Sequence, residues 1–386
     1  MRVALFTDGI YPIVMGGMQR HSLYLAKALA GEGVQVDLYH AADKKNAERA
    51  PQQFTTTELQ HIRFFPVKFP DLGKTPGHYI RESYLYSKEL FKRMQEHSAP
   101  DFIYCKGFTG WELLHQKSLG KQLSPIAVNM HGYEIFQSAA SWIERIKQKW
   151  LLDKPARYQL DHADIVISYG GRVTDVLKSI PVAASKIEEI PGGITADWLR
   201  TDITPRNEVL RFIFVGRDER RKGLEELYEA IKSAKSDFYQ LHIVGPINPS
   251  NRVKLPNVTY HGSITDNHAL LKLLDSCQVL VCPSISEGMP NVILEGMSRG
   301  LAVLATDTGA TQLMVDDRNG ILVKPGNVAQ LAEGWNRMMN MDAASLSRLQ
   351  QQSVVKVQEQ FLWSRLADET IKMMERRIAQ HDKSSI

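Results

Sequence analysis

The sequence predicts an α/β protein made of two doubly wound, Rossmann-like domains that face each other across a cleft. Three observations carry this. At 386 residues the chain is longer than one hydrophobic core usually serves. Through its first half, short apolar runs alternate with segments of helical period, the order that gives a parallel sheet covered by helices on both faces. After Ile187-Glu-Glu-Ile-Pro-Gly-Gly-Ile194 the same alternation starts afresh, so a second sheet follows the first.

In chain order, the strands expected in the first domain are Arg2–Thr7, Val34–His40, His61–Val67, Asp101–Lys106, Ile126–Met130 and Ile165–Ser168. Helical period marks Met18–Ala30, Tyr79–Glu96 and Trp142–Leu160 between them. The polar segment 195–207, with Pro205, reads as a linker between a first domain at 1–194 and a second at 208–362. The second domain opens with strand Leu210–Val215 and helix Gly223–Ala234, then strands Gln240–Val244 and Val258–His261 and helix Asn267–Ser276. Next come the apolar run Gln278–Pro283, a loop, a helix and the run Leu301–Thr306. Proline suits a first helical position and glycine a stop, so that helix is expected from Pro290 to Arg299, before Gly300. A long helical tract, Leu346–Arg377, is interrupted near Phe361-Leu-Trp-Ser364.

Hydrophobic content of 43% with 23% charged residues is that of a globular protein and excludes disordered and fibrous classes. The formal net charge of +4 is spread along the chain, which suits an anionic ligand or a membrane surface better than nucleic acid. Cys105, Cys277 and Cys282 lie in or beside apolar runs without metal-ligand spacing, as buried thiols of a reducing compartment do. Met1–Asp8 reaches an acid too soon for a signal peptide, and a cytoplasmic protein is expected.

The chemistry concentrates in Ser284-Ile-Ser-Glu-Gly-Met-Pro-Asn-Val-Ile-Leu-Glu-Gly-Met-Ser-Arg-Gly300. Glu287 falls in the loop and Glu295 in the helix, on the same side as Asn291 by the i, i+4 rule. The free N–H groups of Gly288, Met289, Asn291 and Val292 at the helix start can hold a phosphate, and the two acids can take the hydroxyls of a sugar nucleotide. Spacing alone equally allows a solvent-facing helix with an ordinary Glu. Elsewhere, Gly216-Arg-Asp-Glu-Arg-Arg-Lys-Gly223 follows a strand with a short cationic loop. Gly16-Gly17 follows the first strand and lets a backbone approach a ligand, or simply makes a turn. His131 ends another strand, where many histidines are only structural.

The stretch Ser-Glu-Gly-Met-Pro-Asn-Val-Ile-Leu-Glu-Gly-Met resembles the E-x7-E signature of the retaining glycosyltransferases of family 4, which have the GT-B fold. Glu287 and Glu295 match its acids, and Arg217 and Lys222 match the family's Gly-Arg, Lys-Gly pattern. The resemblance implies that Arg217 and Lys222 neutralise the leaving diphosphate, with Gly216 beside them. It also implies that His131 faces the donor sugar, that Gly16 and Gly17 form the family's glycine-rich loop, and that residues 363–386 form a helix crossing back to the first domain. The residues themselves leave open one long helix capping the second domain. Arg220 and Arg221 match nothing and are expected at the surface. Thr306-Asp-Thr-Gly-Ala-Thr-Gln312 departs from the family's loop at that place. Tyr260-His-Gly-Ser-Ile264 lies where family members bracket the base.

The function implied is transfer of a sugar from a nucleotide diphosphate sugar, with a UDP-sugar as the first candidate, to a sugar or glycolipid hydroxyl. Cell-surface polysaccharide, lipopolysaccharide or glycolipid synthesis would use it. The chain has no Asp-x-Asp, so no metal and no other cofactor is expected. The rival readings are a GT-B sugar-nucleotide epimerase and a non-catalytic sugar-nucleotide binder. Gly107 and Thr109 are candidate acceptor contacts. The segment from His61 to Arg93, with Phe64, Phe65, Phe69, Tyr79, Tyr84, Tyr86, Lys68, Lys74 and Arg81, suggests peripheral contact with anionic membrane or an ordinary amphipathic helix and strand.

Overall fold

The computed structural model describes residues 1–43, 45–73, 77–137, 148–200, 202–203, 205, 208–233 and 238–384. Among these, two all-parallel sheets form. The first, in the order β3-β2-β1-β4-β5-β6-β7, contains β1 (Arg2–Thr7), β2 (Gln35–Ala41), β3 (Ile62–Val67), β4 (Phe102–Lys106), β5 (Ile126–Asn129), β6 (Ile165–Ser168) and β7 (Ile187–Glu189). The second, ordered β10-β9-β8-β11-β12-β13, contains β8 (Leu210–Val215), β9 (Tyr239–Val244), β10 (Val258–Gly262), β11 (Val279–Cys282), β12 (Ala302–Thr306) and β13 (Gly320–Val323). The two-domain GT-B architecture is therefore present.

Sheet position explains the strand sequences. β4, β5, β11 and β12 are buried along their whole length, with helices on both faces, and read as continuous apolar runs. β3 and β10 lie at sheet edges and are more open: β3 buries only Ile62 and Phe65, and β10 alternates partly buried with exposed positions. The pairing Arg2↔Gln35 through Thr7↔His40 brings the carboxyl ends of β1 and β2 level, and Leu210↔Tyr239 through Val215↔Val244 does so for β8 and β9.

The long C-terminal tract is two helices, Ala343–Gln360 and Trp363–Ser384, and the break is a crossing point. Ile194 donates to the Phe361 carbonyl at 2.8 Å and accepts from the Trp363 N–H at 3.1 Å. Beyond it, Trp363, Leu366, Met373 and Met374 join Leu25 and Leu29 in the core of the first domain. Arg376 and Arg377 pair there with Glu188. One long helix capping the second domain is thus excluded.

Several boundaries move for identifiable reasons. The helix expected from Pro290 to Arg299 is Asn291–Ser298; Pro290 is its capping residue, with a non-helical ψ of 103°. The helix expected from Gly223 begins at Leu224, because Gly223 takes φ 69°, where an L side chain is strained. Ala234, its expected end, lies outside the described residues. Of the stretch Trp142–Leu160, residues 142–147 also lie outside them. A π-helical turn, Gln148–Leu152, then leads into helix Asp153–His162, whose first turn tolerates Pro155. Residues 201, 204, 206 and 207 of the expected linker are likewise not described.

The aromatic segment suggested as a membrane surface is mostly core. Phe65 and Tyr86 are buried, and Phe64 and Phe69 pack against the interior. Tyr79 is exposed, with Leu85 nearby in sequence; Lys68 and Arg81 are also exposed, and Lys74 is not described. No described helix is long and apolar enough to cross a membrane.

Candidate functional site

Strand order reverses between β1 and β4 in one sheet and between β8 and β11 in the other. Loops leaving such neighbouring strands diverge, opening a crevice at the carboxyl ends. The two crevices face each other and form one cleft of about 710 Å³, within the size range of small-molecule sites. The candidate residues named from the sequence for catalysis and donor binding all line it: Gly16, Gly17, His131, Gly216, Arg217, Lys222, Glu287, Gly288, Met289, Asn291, Val292 and Glu295.

Glu287 is nearly inaccessible and organises the cations of the β8 loop. Its Oε1 accepts from Lys222 and, at 2.9 Å, from the Ser284 hydroxyl; its Oε2 faces Arg221 Nη1 at 3.2 Å. Arg221 is therefore a cleft residue and not the surface residue expected. It escaped notice because its role depends on the turn Arg220–Lys222 rolling it toward Glu287. Arg220 points away into a bidentate pair with Glu226. Arg217 is the open member, 65% exposed and paired with Glu219 at 3.0 Å.

Glu295 is buried in the helix Asn291–Ser298, whose free N–H groups open onto the cleft. Its Oε1 accepts from Arg20, one helical turn after Gly16 in the first-domain helix Gly17–Gly31. Burial pushes the Glu295 carboxyl up and Arg20 pulls it back.

His131 is held at φ 62°, a left-handed conformation a non-glycine residue adopts only under constraint. Its N–H donates to Asn129 Oδ1 at 2.8 Å and its Nδ1 meets the Tyr169 hydroxyl. Nε2 is buried without a hydrogen-bond partner among the described residues. His21 stands edge-on to it, the ring centroids 5.4 Å apart, and takes a 2.8 Å hydrogen bond at Nδ1 from Lys106. Lys106 is fully buried, over the Tyr104 ring. Burial keeps His131, His21 and Lys106 well below their ordinary pKa values. Uncharged imidazoles at the cleft floor can meet a neutral sugar hydroxyl as donor or acceptor.

The domains touch beside the site. A Cβ on Gly288 would fall 2.5 Å from Gly132 Cα, so a backbone approach replaces a side chain there. Gln137 donates to the Glu287 carbonyl and accepts from Ser286, both at 2.9 Å. The loop Thr306–Gln312 supports this contact from behind: Ala310 N–H donates to the Gly288 carbonyl at 2.7 Å, Gly309 accepts from Arg172 N–H, and Arg172 pairs with Asp307. Ser263 and Ile264, after β10, also line the cleft.

Two acceptor-side candidates are displaced. Thr109 is buried, its hydroxyl committed to the carbonyls of Phe6 and Lys106, and it faces a small neighbouring cavity beside Asp8 and Tyr79. Gly107 makes a left-handed turn at φ 56° and does not line the cleft. Among the described residues no cluster of three or more His, Cys, Asp or Glu is placed to hold a metal ion.

The description Glycosyltransferase Family 4 fits residues 15–198, and Glycosyl transferases group 1 fits residues 210–341, together most of the chain. The chain belongs to the family 4 glycosyltransferases. An uncharacterized glycosyltransferase of Methanocaldococcus jannaschii is 22% identical over 96% of this glycosyltransferase and 97% of its own length. The D-inositol 3-phosphate glycosyltransferase of Pseudarthrobacter chlorophenolicus is 22% identical over 95% and 91%. Among solved structures, sucrose-phosphate synthase from Thermosynechococcus elongatus superposes with a TM-score of 0.78 at 21% identity, covering 98% of this chain and 99% of its own. HepE of Anabaena, solved in complex with UDP and glucose, superposes with a TM-score of 0.70 at 16% identity, covering 97% and 100%. These likenesses extend across both domains of the glycosyltransferase and establish its fold.

Proposed function

We propose that this glycosyltransferase moves a sugar from a nucleotide diphosphate sugar, UDP-linked in the first instance, to a hydroxyl of a sugar or glycolipid acceptor, with retention and without a metal ion. The observation that carries the proposal is the convergence of Arg217, Arg221 and Lys222 with the N-terminus of helix Asn291–Ser298 on one cleft. These groups suit a diphosphate, in the ground state and as charge grows on its leaving oxygen. Glu287 holds two of the cations in place before a ligand arrives, which spares reorganisation during the reaction. A nucleotide diphosphate bound to the related fold of HepE is consistent with this use of the cleft.

In the proposed reaction the bond from the sugar's anomeric carbon to the diphosphate oxygen breaks, and the acceptor oxygen attacks on the same face. The acceptor's proton passes to the departing phosphate oxygen, so no side chain acts as nucleophile. His131 would face the donor sugar through the unpartnered Nε2, and Glu295 would take the ribose hydroxyls. Polysaccharide, lipopolysaccharide or glycolipid synthesis is the setting that fits such a transfer. The test is to follow turnover of UDP-sugars with candidate acceptors in EDTA and assign the product anomer by NMR. An inverted product, or activity abolished by EDTA and restored by magnesium or manganese, contradicts the proposal.

A cytoplasmic location with peripheral contact to anionic membrane is proposed on the exposed Tyr79, Leu85, Lys68 and Arg81. Absence of sedimentation with anionic vesicles at low salt would refute that contact.

A further inference from the structure

Glu295 belongs to the second domain, yet its cation comes from the first. Arg20 extends from helix Gly17–Gly31 to Oε1, with the Tyr11 ring centroid 4.8 Å from its guanidinium carbon. The pair borders an interdomain cavity that Tyr24, Trp198, Asn291 and Trp363 also line. Among the described residues Oε2 makes no hydrogen bond, so one oxygen is held while the other remains able to accept from a ligand.

We propose that Arg20 is a positioning residue for the donor: from the first domain it fixes the Glu295 carboxylate for the nucleotide's ribose hydroxyls, so that nucleotide affinity depends on the two domains standing together. This rests on the ribose contact proposed above for Glu295. The surrounding charges support it. Burial raises the Glu295 carboxyl, and Arg20 is the group that opposes the rise. The other titratable neighbours are Tyr11 and, on Arg20's own helix, Tyr24 and His21; burial keeps Tyr24 and His21 uncharged. Asp197, in the turn Ala196–Trp198, acts on Tyr24. Without Arg20, the buried carboxyl would take up a proton at a higher pH and lose an acceptor that the ribose needs.

Calorimetric titration with UDP tests this on the full chain, using Arg20→Ala, Arg20→Lys and Glu295→Gln from about pH 5.5 to about 8.5. Affinity is read relative to wild type at each pH, which cancels the titration of the nucleotide's own phosphate. Arg20→Ala should bind about tenfold or more weakly at the acid end and recover part of the loss as pH rises. Arg20→Lys should stay within a few-fold throughout. A merely structural role gives neither the pH dependence nor the rescue by lysine. Should Arg20→Ala not fold, Arg20→Gln gives the same readout. Wild-type affinity in Arg20→Ala, with affinity lost in Glu295→Gln, overturns the role of Arg20 alone. Wild-type affinity in Glu295→Gln overturns the ribose contact, and the role of Arg20 with it.

Discussion

Glu287 and Glu295 stand one on each side of a helix start, and the proposed function gives them different work. Glu295→Ala should weaken nucleoside diphosphate binding by ~1.5–3 kcal/mol, the worth of a charge-assisted hydrogen bond, or about one to two powers of ten. Glu287→Ala should leave that affinity within a few-fold. It should cut turnover by ~100-fold, because Lys222, Arg221 and the donor sugar would lose their fixed positions. Equal losses of nucleotide affinity in both variants, with no extra loss of turnover in Glu287→Ala, would refute this division. The two glutamates were legible in the sequence because a strand, a glycine-proline loop and a short helix fix their separation locally. Arg20, His21 and Lys106 were not, since their partners are remote: Arg20 meets Glu295 across 275 residues and Lys106 meets His21 across 85. Arg221 was not legible as a cleft residue because six charged residues in a row, Arg217 to Lys222, do not show which of them the turn directs inward.

At the level of elements, the loop Thr306–Gln312 is the least expected contributor. It departs from the family's usual sequence, yet it holds the Glu287–Gly288 backbone from behind. Gly309, at φ 53°, permits this: a Cβ there would lie 2.1 Å from the Gly288 carbonyl oxygen and 2.4 Å from that of Glu287. Gly309→Ala should therefore destabilise the protein by ~1–3 kcal/mol, lowering Tm by about 2–4 °C per kcal/mol, and it should reduce kcat. Thermal melting and a turnover assay check both, and a variant unchanged in both would show the contact to be slack. The fully buried central strands were legible from apolar runs alone. The edge strands β7 and β13 were not: β7, Ile-Glu-Glu, buries no residue, and β13 opens on a glycine and is only partly buried. Helix Val328–Asn340 went unread although Asn327 caps it, accepting from Gln330 N–H at 3.0 Å.

For the whole molecule, burial of neutral histidines sets how stability depends on pH. Burial lowers His21 and His131 well below 6.5 and brings His40 and His242 to about 4. Each binds a proton more readily when unfolded. Their contribution is complete above about pH 6.5 and is lost as pH falls below it, at up to ~1.4 kcal/mol per unit per group. Asp8 opposes this: burial raises it from 3.8 to about 6, so it favours the folded state on acidification across that interval. Glu295, whose carboxyl burial also raises, acts in the same sense as Asp8. The four histidines outweigh these two carboxyls, and denaturant midpoints should fall between about pH 6.5 and pH 5; a level profile would mean the imidazoles are not buried neutral. The two-domain fold was legible because the strand–helix alternation recurs. How closely the domains meet was not, since Gly132 against Gly288 is a contact of backbone with backbone. The central claim is that this meeting forms a diphosphate site built from side-chain cations and a helix start. Calorimetric titration of the wild-type protein and of Lys222→Ala with UDP in the presence of EDTA tests it most directly. The account predicts that the wild type binds without metal and that Lys222→Ala loses about tenfold or more; binding that requires a divalent ion, or an unchanged Lys222→Ala, would contradict it.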